Sequence, residues 1–222
     1  MKNILAKGGI EFLAVFLGIA LSLWVDDFRE EKELSNRIID DYQNIYSEVK
    51  SNILIIEEVI QLNKDINVSE EKILEILNGK MPYDQDSIIN LLANLNSLTF
   101  FGETSAHRTS VSSGRFNSSK DDELTKQISK LYEHNFVRLN KNGNWVDDVN
   151  HNLITQNPYL PFYAGIYELI NLDSLSIKQN FFGEKFQNNF LYFRFARSIY
   201  MMRLEETRNQ LYKVKNSIEY YY

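Results

Sequence analysis

The chain has 222 residues and carries 30 acidic against 24 basic side chains, a balance that disfavours duplex nucleic acid as a partner because phosphate neutralisation dominates that binding. It contains no cysteine, which excludes structural disulfides, thiol catalysis and thiolate metal sites. Hydrophobic residues make up 44% and aromatic residues 13% of the chain, which indicates a folded body and not a disordered one.

The first predicted element is an apolar stretch at residues 10–25, IEFLAVFLGIALSLWV, whose one charge is Glu11. As a helix it covers roughly 24 Å at about 1.5 Å per residue, close to the thickness of a bilayer's hydrocarbon core. We therefore predict three parts: an N-terminal flank at 1–9, a transmembrane helix at 10–25, and a helical soluble domain at 26–222.

The same stretch has a second interpretation, a cleaved signal peptide, because Lys2 and Lys7 precede it and Ala20-Leu21-Ser22 suits a signal peptidase. The apolar run continues through Val25, and Trp24 lies where an interfacial aromatic belongs, which favours an uncleaved anchor. Basic residues lie on both sides of the span, so the side of the membrane that holds the large domain stays open.

The anchor continues into a long helix. Apolar residues recur every three or four positions after it, which is typical of a helix with one buried stripe; they are Ile38, Tyr42, Ile45, Val49, Ile53, Ile56 and Ile60. We predict one helix from about Ile10 to about Asn63, packed along a helical bundle; the alternative is pairing with its own copies in an oligomer.

Helix-boundary residues divide the rest of the chain into further helices. We predict a helix from Ser69 to Asn78, one over Ser87–Leu98 opened by Asp84 or Asp86, a short one from Thr104 or Ser105 to Gly114, a long one from Ser119 or Lys120 to near Pro158, a short one at Phe162–Asn171, and a last one over Phe186–Ile218. No alternating apolar pattern lasts more than four residues, so the predicted fold class is all-α.

Two stretches resemble an uncharacterised family of bacterial single-pass membrane proteins, a domain-of-unknown-function family. Its members begin with a pattern close to G-E-x-L-x-V-x-x-G-I; here the region reads GIEFLAVFLGIALSLWVDDFRE, and the matching residues are Gly9, Glu11, Gly18, Ile19 and Leu21. The family's middle carries an S-S-G motif followed by acidic residues and a helix. Here that part reads TSAHRTSVSSGRFNSSKDDEL, with matches at Thr104, Ala106, Ser112, Ser113, Gly114, Glu123 and Leu124.

The resemblance implies a protein of the bacterial inner membrane with one span and a helical domain, and it implies no activity. His107 and Arg108 depart from the aromatic-acidic pair that the family has at these positions.

One face of the predicted span combines Glu11 with three small residues, Ala14, Gly18 and Ser22, at spacings of about one and two turns. Small residues let transmembrane helices approach closely, so this face predicts self-association into a homo-oligomer. The alternatives are a pore lined by Glu11 and an interfacial carboxylate beside small residues that occur there by chance.

The segment between Thr104 and Lys120 holds His107, Arg108, Arg115 and Lys120 among several hydroxyl residues. Guanidinium groups, hydroxyls and amides at a helix start hold phosphate, so these four are the candidate site for a small anionic or nucleotide ligand. The simpler interpretation is a short helix with a glycine C-cap, followed by a capped longer helix.

The sequence offers little for catalysis or metal binding. The histidines are His107, His134 and His151 alone, and no known catalytic or nucleotide fingerprint occurs. We therefore predict no enzyme activity, no metal and no cofactor, and we interpret the acidic pairs Asp26-Asp27, Asp40-Asp41 and Asp121-Asp122 as solvated faces or first turns of helices.

The predicted function is a non-enzymatic oligomeric membrane module or effector, for instance in antiviral defence, in which an event at the helical body shifts the long helix and thereby the spans. The alternative is a membrane-anchored sensor of a small anionic or nucleotide ligand.

Overall fold

A computed structural model describes the backbone of residues 2–96, 98–163 and 173–221, and the side chains of residues 12–96, 98–163 and 173–220. Every regular element within these ranges is helical, which confirms the all-α fold class. The elements are α1 (Lys2–Leu77), α2 (Gln85–Ala93), α3 (Ser105–Ser112), a 3₁₀ turn (Phe116–Ser118), α4 (Asp122–Ser129), a π turn (Lys130–Phe136), α5 (Val137–Thr155), α6 (Ser174–Phe181) and α7 (Glu184–Tyr221).

α1 is a single helix of 76 residues, so the predicted end near Asn63 and the predicted new start at Ser69 are wrong. Asn63 is buried, and its side-chain amide donates to the carbonyl oxygens of Val59 and Leu98, both at 2.9 Å. Ile66 and Ile73 on the following turns are buried as well. Tertiary contacts therefore carry the helix through a region of weak intrinsic helix propensity.

The body is a bundle in which α7 packs along both α1 and α5. α4, the π turn and α5 follow one another without a break, so together they form the predicted long helix; it begins at Asp122, with Asp121 as its N-cap, and not at Ser119 or Lys120. The predicted apolar stripe of α1 enters the core from its second member onward, with buried side chains at Tyr42, Ile45, Val49, Ile53, Ile56 and Ile60.

The connections follow the local sequence. Gly79 and Gly114 end their helices with φ of +69° and +77°, backbone angles that favour glycine. Asp84 caps α2 by accepting from the Ser87 amide at 2.9 Å. α2 ends at Ala93, earlier than the predicted Leu98, because the chain then crosses the core: Leu95 and Phe100 are buried. Most of the helix predicted at Phe162–Asn171 lies outside the described residues.

The first part of α1 does not pack on the body. Every described side chain from Phe12 to Arg37 is exposed, and the apolar ones include Phe12 (69%), Phe16 (57%) and Trp24 (64%). Within the part of the chain that the structure describes, no helix is long and apolar enough to cross a membrane. The side chains of Ile10 and Glu11, with which the predicted span begins, lie outside the described residues.

Candidate functional site

The candidate site is the contact between α1 and the segment of residues 104–120, which we call the motif segment. At the centre of this contact is Glu48, a buried residue of α1. Its carboxylate accepts from the Ala106 amide at 2.6 Å, the Ser105 hydroxyl at 3.2 Å and the His107 amide at 3.4 Å. Thr104, the N-cap residue of α3, makes no capping hydrogen bond with its own side chain. Glu48 therefore caps α3 from a different helix, and its negative charge lies at the positive end of the α3 dipole.

The π turn supplies the fourth donor to Glu48. The Tyr132 hydroxyl donates to Glu48 Oε1 at 2.7 Å. Burial raises the pKa of Tyr132 well above its usual range, and the Glu48 charge adds to the effect, so the phenol stays protonated and serves as a donor. Short π-helical stretches often occur at functional sites, and here the stretch brings Tyr132 under α3.

His107 completes the apolar side of this contact. Its ring stacks on Tyr132 with centroids 4.3 Å apart and planes 3° apart, and it meets Phe116 edge-on at 5.1 Å. His107 Nε2 is buried without a hydrogen-bond partner. Burial lowers the pKa of His107, although the charges of Glu133 and Glu48 oppose this effect. The site therefore favours a neutral imidazole.

A second carboxylate of α1 holds the end of the motif segment. Asp41 accepts two hydrogen bonds from Arg115, at 2.8 and 2.9 Å, and one from the Ser110 hydroxyl at 2.7 Å. Burial alone would raise the pKa of Asp41, but the hydrogen bonds from Arg115 and Ser110 outweigh it, and the pKa is lowered. The prediction of a solvated acidic face at Asp40-Asp41 is thus wrong for Asp41, which is 9% exposed.

Two further contacts extend the site toward the exposed part of α1. The Tyr42 hydroxyl donates to Ser119 Oγ at 2.6 Å, and Lys120 forms an exposed ion pair with Glu31 at 2.6 Å. From Glu31 to Glu48, the motif segment therefore follows α1 over roughly 25 Å of helix.

The four residues predicted to bind an anion lie in different surroundings. His107 is buried against aromatic rings, and the exposed Arg108 donates to Thr104 within its own helix at 2.8 Å. Arg115 and Lys120 each have a carboxylate partner on α1. The neighbouring cavity of about 410 Å³ is lined by Asp41, Glu48 and Glu103 among others. Of the three predicted residues with a permanent positive charge, Arg115 and Lys120 thus have an acidic partner within the protein and Arg108 has a hydroxyl partner. The anion site stays a prediction.

The residues predicted to form the oligomerisation face stand on the exposed part of α1. Ala14, Gly18 and Ser22 are exposed, and a Cβ atom added at Gly18 meets no described atom within 4 Å. Glu11 lies outside the described side chains. Among the described residues, no three His, Asp or Glu side chains lie close enough to hold a metal ion.

Glu48, Asp41 and Tyr132 were not predicted as site residues. Each lies inside a helix without a local motif, and only the three-dimensional contact with the motif segment reveals it. The sequence feature that pointed to this contact was the hydroxyl-rich motif segment around its S-S-G motif. Two residues of that segment, Ser110 and Arg115, bind Asp41 of α1.

The model of a family described as a family of unknown function, DUF6090, matches residues 11–182, which include the exposed apolar part of α1 and the whole motif segment. No curated protein matches the chain, and no solved structure matches it.

Proposed function

The chain belongs to the DUF6090 family, a family of unknown function, and we propose that it is a non-enzymatic helical module held in the bacterial inner membrane by the N-terminal part of α1. In this proposal the protein works as a homo-oligomer, and the helical body controls the position of the membrane segment through α1. The bilayer and further copies of the same chain are its partners.

The observation that carries the proposal is the apolar surface of α1 between Phe12 and Val25. Exposed apolar side chains occur on all sides of this helix and not on one stripe, among them Leu13, Val15, Phe16, Leu17, Ile19, Leu21 and Leu23. A stripe would suit a groove on another protein, whereas an apolar surface all round suits a helix surrounded by hydrocarbon or deeply buried. Removing these side chains from water is worth on the order of 10 kcal/mol, since each large one contributes about 1.5–3 kcal/mol when fully buried.

The coupling part of the proposal is supported by the continuity of α1. The same helix that carries Phe12 and Trp24 becomes part of the core at Tyr42 and stays there through Ile76. No Pro or Gly interrupts α1 from Ile19 onward, and a helix without such kink sites transmits a tilt or rotation along its length. The motif segment contacts α1 just before the helix leaves the body, so a change there would alter the angle at which α1 enters the bilayer.

Membrane attachment is tested by placing charges in the apolar part of α1. In Leu17→Arg/Ile19→Arg, each arginine costs about 2.5–3.5 kcal/mol at the centre of a span. We expect the full-length variant to leave the carbonate-washed membrane fraction of expressing cells, while wild type stays in it. Leu54→Arg is the matched control, because Leu54 is 74% exposed on the body part of α1. Wild type in the aqueous fraction would refute the anchor.

Self-association is tested at Gly18. Gly18→Ile places a branched side chain on the face that Ala14 and Ser22 share, and we expect it to reduce the mass of the purified particle in detergent to one chain. Ala20→Ile is the control, because Ala20 lies about 200° around the helix from Gly18. An equal mass for wild type and Gly18→Ile would remove the oligomerisation face from the account.

A further inference from the structure

We propose that His107 makes the attachment of the motif segment to α1 sensitive to acid: protonation of the buried imidazole releases the first turn of α3 from Glu48. This proposal does not depend on the membrane role, because it concerns only the contact between two parts of the body.

The surroundings of Nε2 offer no hydrogen-bond partner to a protonated ring. His107 is 8% exposed, with one ring face against Tyr132 and an edge contact to Phe116. Nε2 is buried and has no acceptor. An imidazolium in this position would hold a charged N–H away from both water and an acceptor, a costly arrangement for any buried charge.

The charged groups around the ring do not offer a ready partner. From α1, Glu48 lies near, but its two oxygens already accept four hydrogen bonds from Ser105, Ala106, His107 and Tyr132. From the π turn come the Tyr132 phenol and Glu133, which is exposed; Arg108 of α3 itself is cationic, and the 3₁₀ turn contributes the uncharged Phe116. An imidazolium gains a carboxylate partner only by leaving the stack toward Glu133 or by displacing donors from Glu48.

The direction of the pH effect follows from this environment. Burial lowers the pKa of His107 below its ordinary value of about 6.5, so the folded contact prefers the neutral ring. The contact is then fully stable above about pH 6.5 and loses stability as the pH falls from there toward the lowered pKa. Because a single proton is involved, the equilibrium constant between the attached and the released state of the α3 start changes by at most tenfold per pH unit over that interval.

Leaving the stack has a defined structural consequence. The backbone amides of Ala106 and His107 both donate to Glu48, so displacement of the His107 ring pulls the first turn of α3 away from α1. The contacts of Asp41 with Arg115 and Ser110 do not involve His107 and hold the end of the segment in place. The released part is therefore the start of α3.

The experiment is hydrogen exchange of these amides in the full-length protein in detergent, at pH values from 7.5 to 5. Protection factors are used because they remove the pH dependence of the intrinsic exchange rate. We expect protection of Ala106 and His107 to fall as the pH drops below about 6.5, by no more than about tenfold per pH unit, while core amides of α5 such as Val146 keep theirs.

The variants separate His107 from the other titrating groups. His107→Phe keeps an aromatic ring on Tyr132 and cannot take a proton, so its protection should not depend on pH; His107→Gln tests the same point if the phenylalanine is not accommodated. His134→Phe is the control, because His134 is exposed on the π turn, and it should behave like wild type. Protection that is independent of pH in wild type, or equally dependent on pH in both His107 variants, would overturn the proposal.

Discussion

Glu48 is the residue on which the contact between α1 and α3 depends most, and its replacement gives the sharpest prediction about the body. Its two shortest hydrogen bonds end on different oxygens: the Ala106 amide on Oε2 at 2.6 Å and the Tyr132 hydroxyl on Oε1 at 2.7 Å. A backbone amide only donates, whereas a hydroxyl also accepts. In Glu48→Gln the new amide should therefore turn its oxygen to Ala106 and its NH₂ group to Tyr132.

The expected costs form a graded series. Glu48→Gln keeps two neutral hydrogen bonds in place of charge-assisted ones, which we expect to lower the free energy of unfolding by about 1.5–3 kcal/mol. Glu48→Leu removes the acceptor from the part-buried Ala106 amide and from the buried Tyr132 hydroxyl, at about 1–3 kcal/mol each, so its cost should be about 3–5 kcal/mol. For a chain of this size that corresponds to a fall in Tm of roughly 6–20 °C.

The assay is urea unfolding of the full-length protein in detergent, followed by far-UV circular dichroism. Glu58→Gln and Glu58→Leu are the matched controls, because Glu58 is an exposed glutamate of the same helix and surface changes usually stay within about 0.5 kcal/mol. If Glu48→Leu is no more destabilising than Glu58→Leu, the reasoning that Glu48 caps α3 is refuted.

Three further predictions concern the same body. Arg197→Met removes the closer guanidinium partner of the buried Glu70 carboxylate and leaves it only the longer contact with Arg194 Nε at 3.4 Å, which should cost about 3 kcal/mol in urea unfolding, while Arg197→Met/Glu70→Leu should recover most of that loss; an unchanged midpoint for the single variant would contradict the ion pair. Gly102→Ala should destabilise by about 1–3 kcal/mol, because its Cβ would lie 2.7 Å from the Phe136 ring and 2.8 Å from the Phe100 ring; thermal unfolding at or above the wild-type Tm would show that these rings move aside. Because the pKa of Asp41 is lowered, its contribution is full above about pH 4 and is lost as the pH falls below that value, so Asp41→Asn should be less stable at pH 7 and lose less than wild type between pH 4 and pH 2; parallel stability curves would contradict this.

Local signals predicted those parts of the fold that depend on local structure. Asp84 before α2 and Gly114 after α3 mark real helix ends, since a side-chain acceptor and a left-handed backbone angle act within one turn. The apolar spacing on α1 also predicted its buried face, including Ile45 and Val49.

The errors arose where a distant residue decides the outcome. Asn63 and Ser69 suggest a helix end followed by a new start, yet Asn63 is held by Leu98 and by Arg197, whose guanidinium donates to the Asn63 carbonyl at 2.7 Å. Glu70 follows Ser69, where the new helix was predicted to begin, and it is instead the buried partner of Arg197. Leu98 and Arg197 lie 35 and 134 residues after Asn63 in the sequence.

At the candidate site too, local sequence predicted the segment but not its distant partners. The motif segment was recognised from its composition, and an external anion for its cations stays a prediction, but Arg115 and Lys120 also have carboxylate partners on α1 that were not predicted. Their partners Asp41 and Glu31 lie 74 and 89 residues earlier, in a helix whose acidic residues look like a solvated surface. A sequence pattern marks the segment as unusual but does not state what neutralises its charges.

The most direct test of the central claim, that lipid surrounds the N-terminal part of α1, uses single cysteines, which the chain otherwise lacks. Spin labels are placed one at a time at positions 12–34 in vesicles, and each is measured for contact with oxygen, which enters lipid, and with a water-soluble nickel complex. The account predicts high oxygen and low nickel contact at positions on all sides of the helix, with nickel contact rising beyond Phe28. High nickel contact recurring every three to four residues, or at every position, would contradict it.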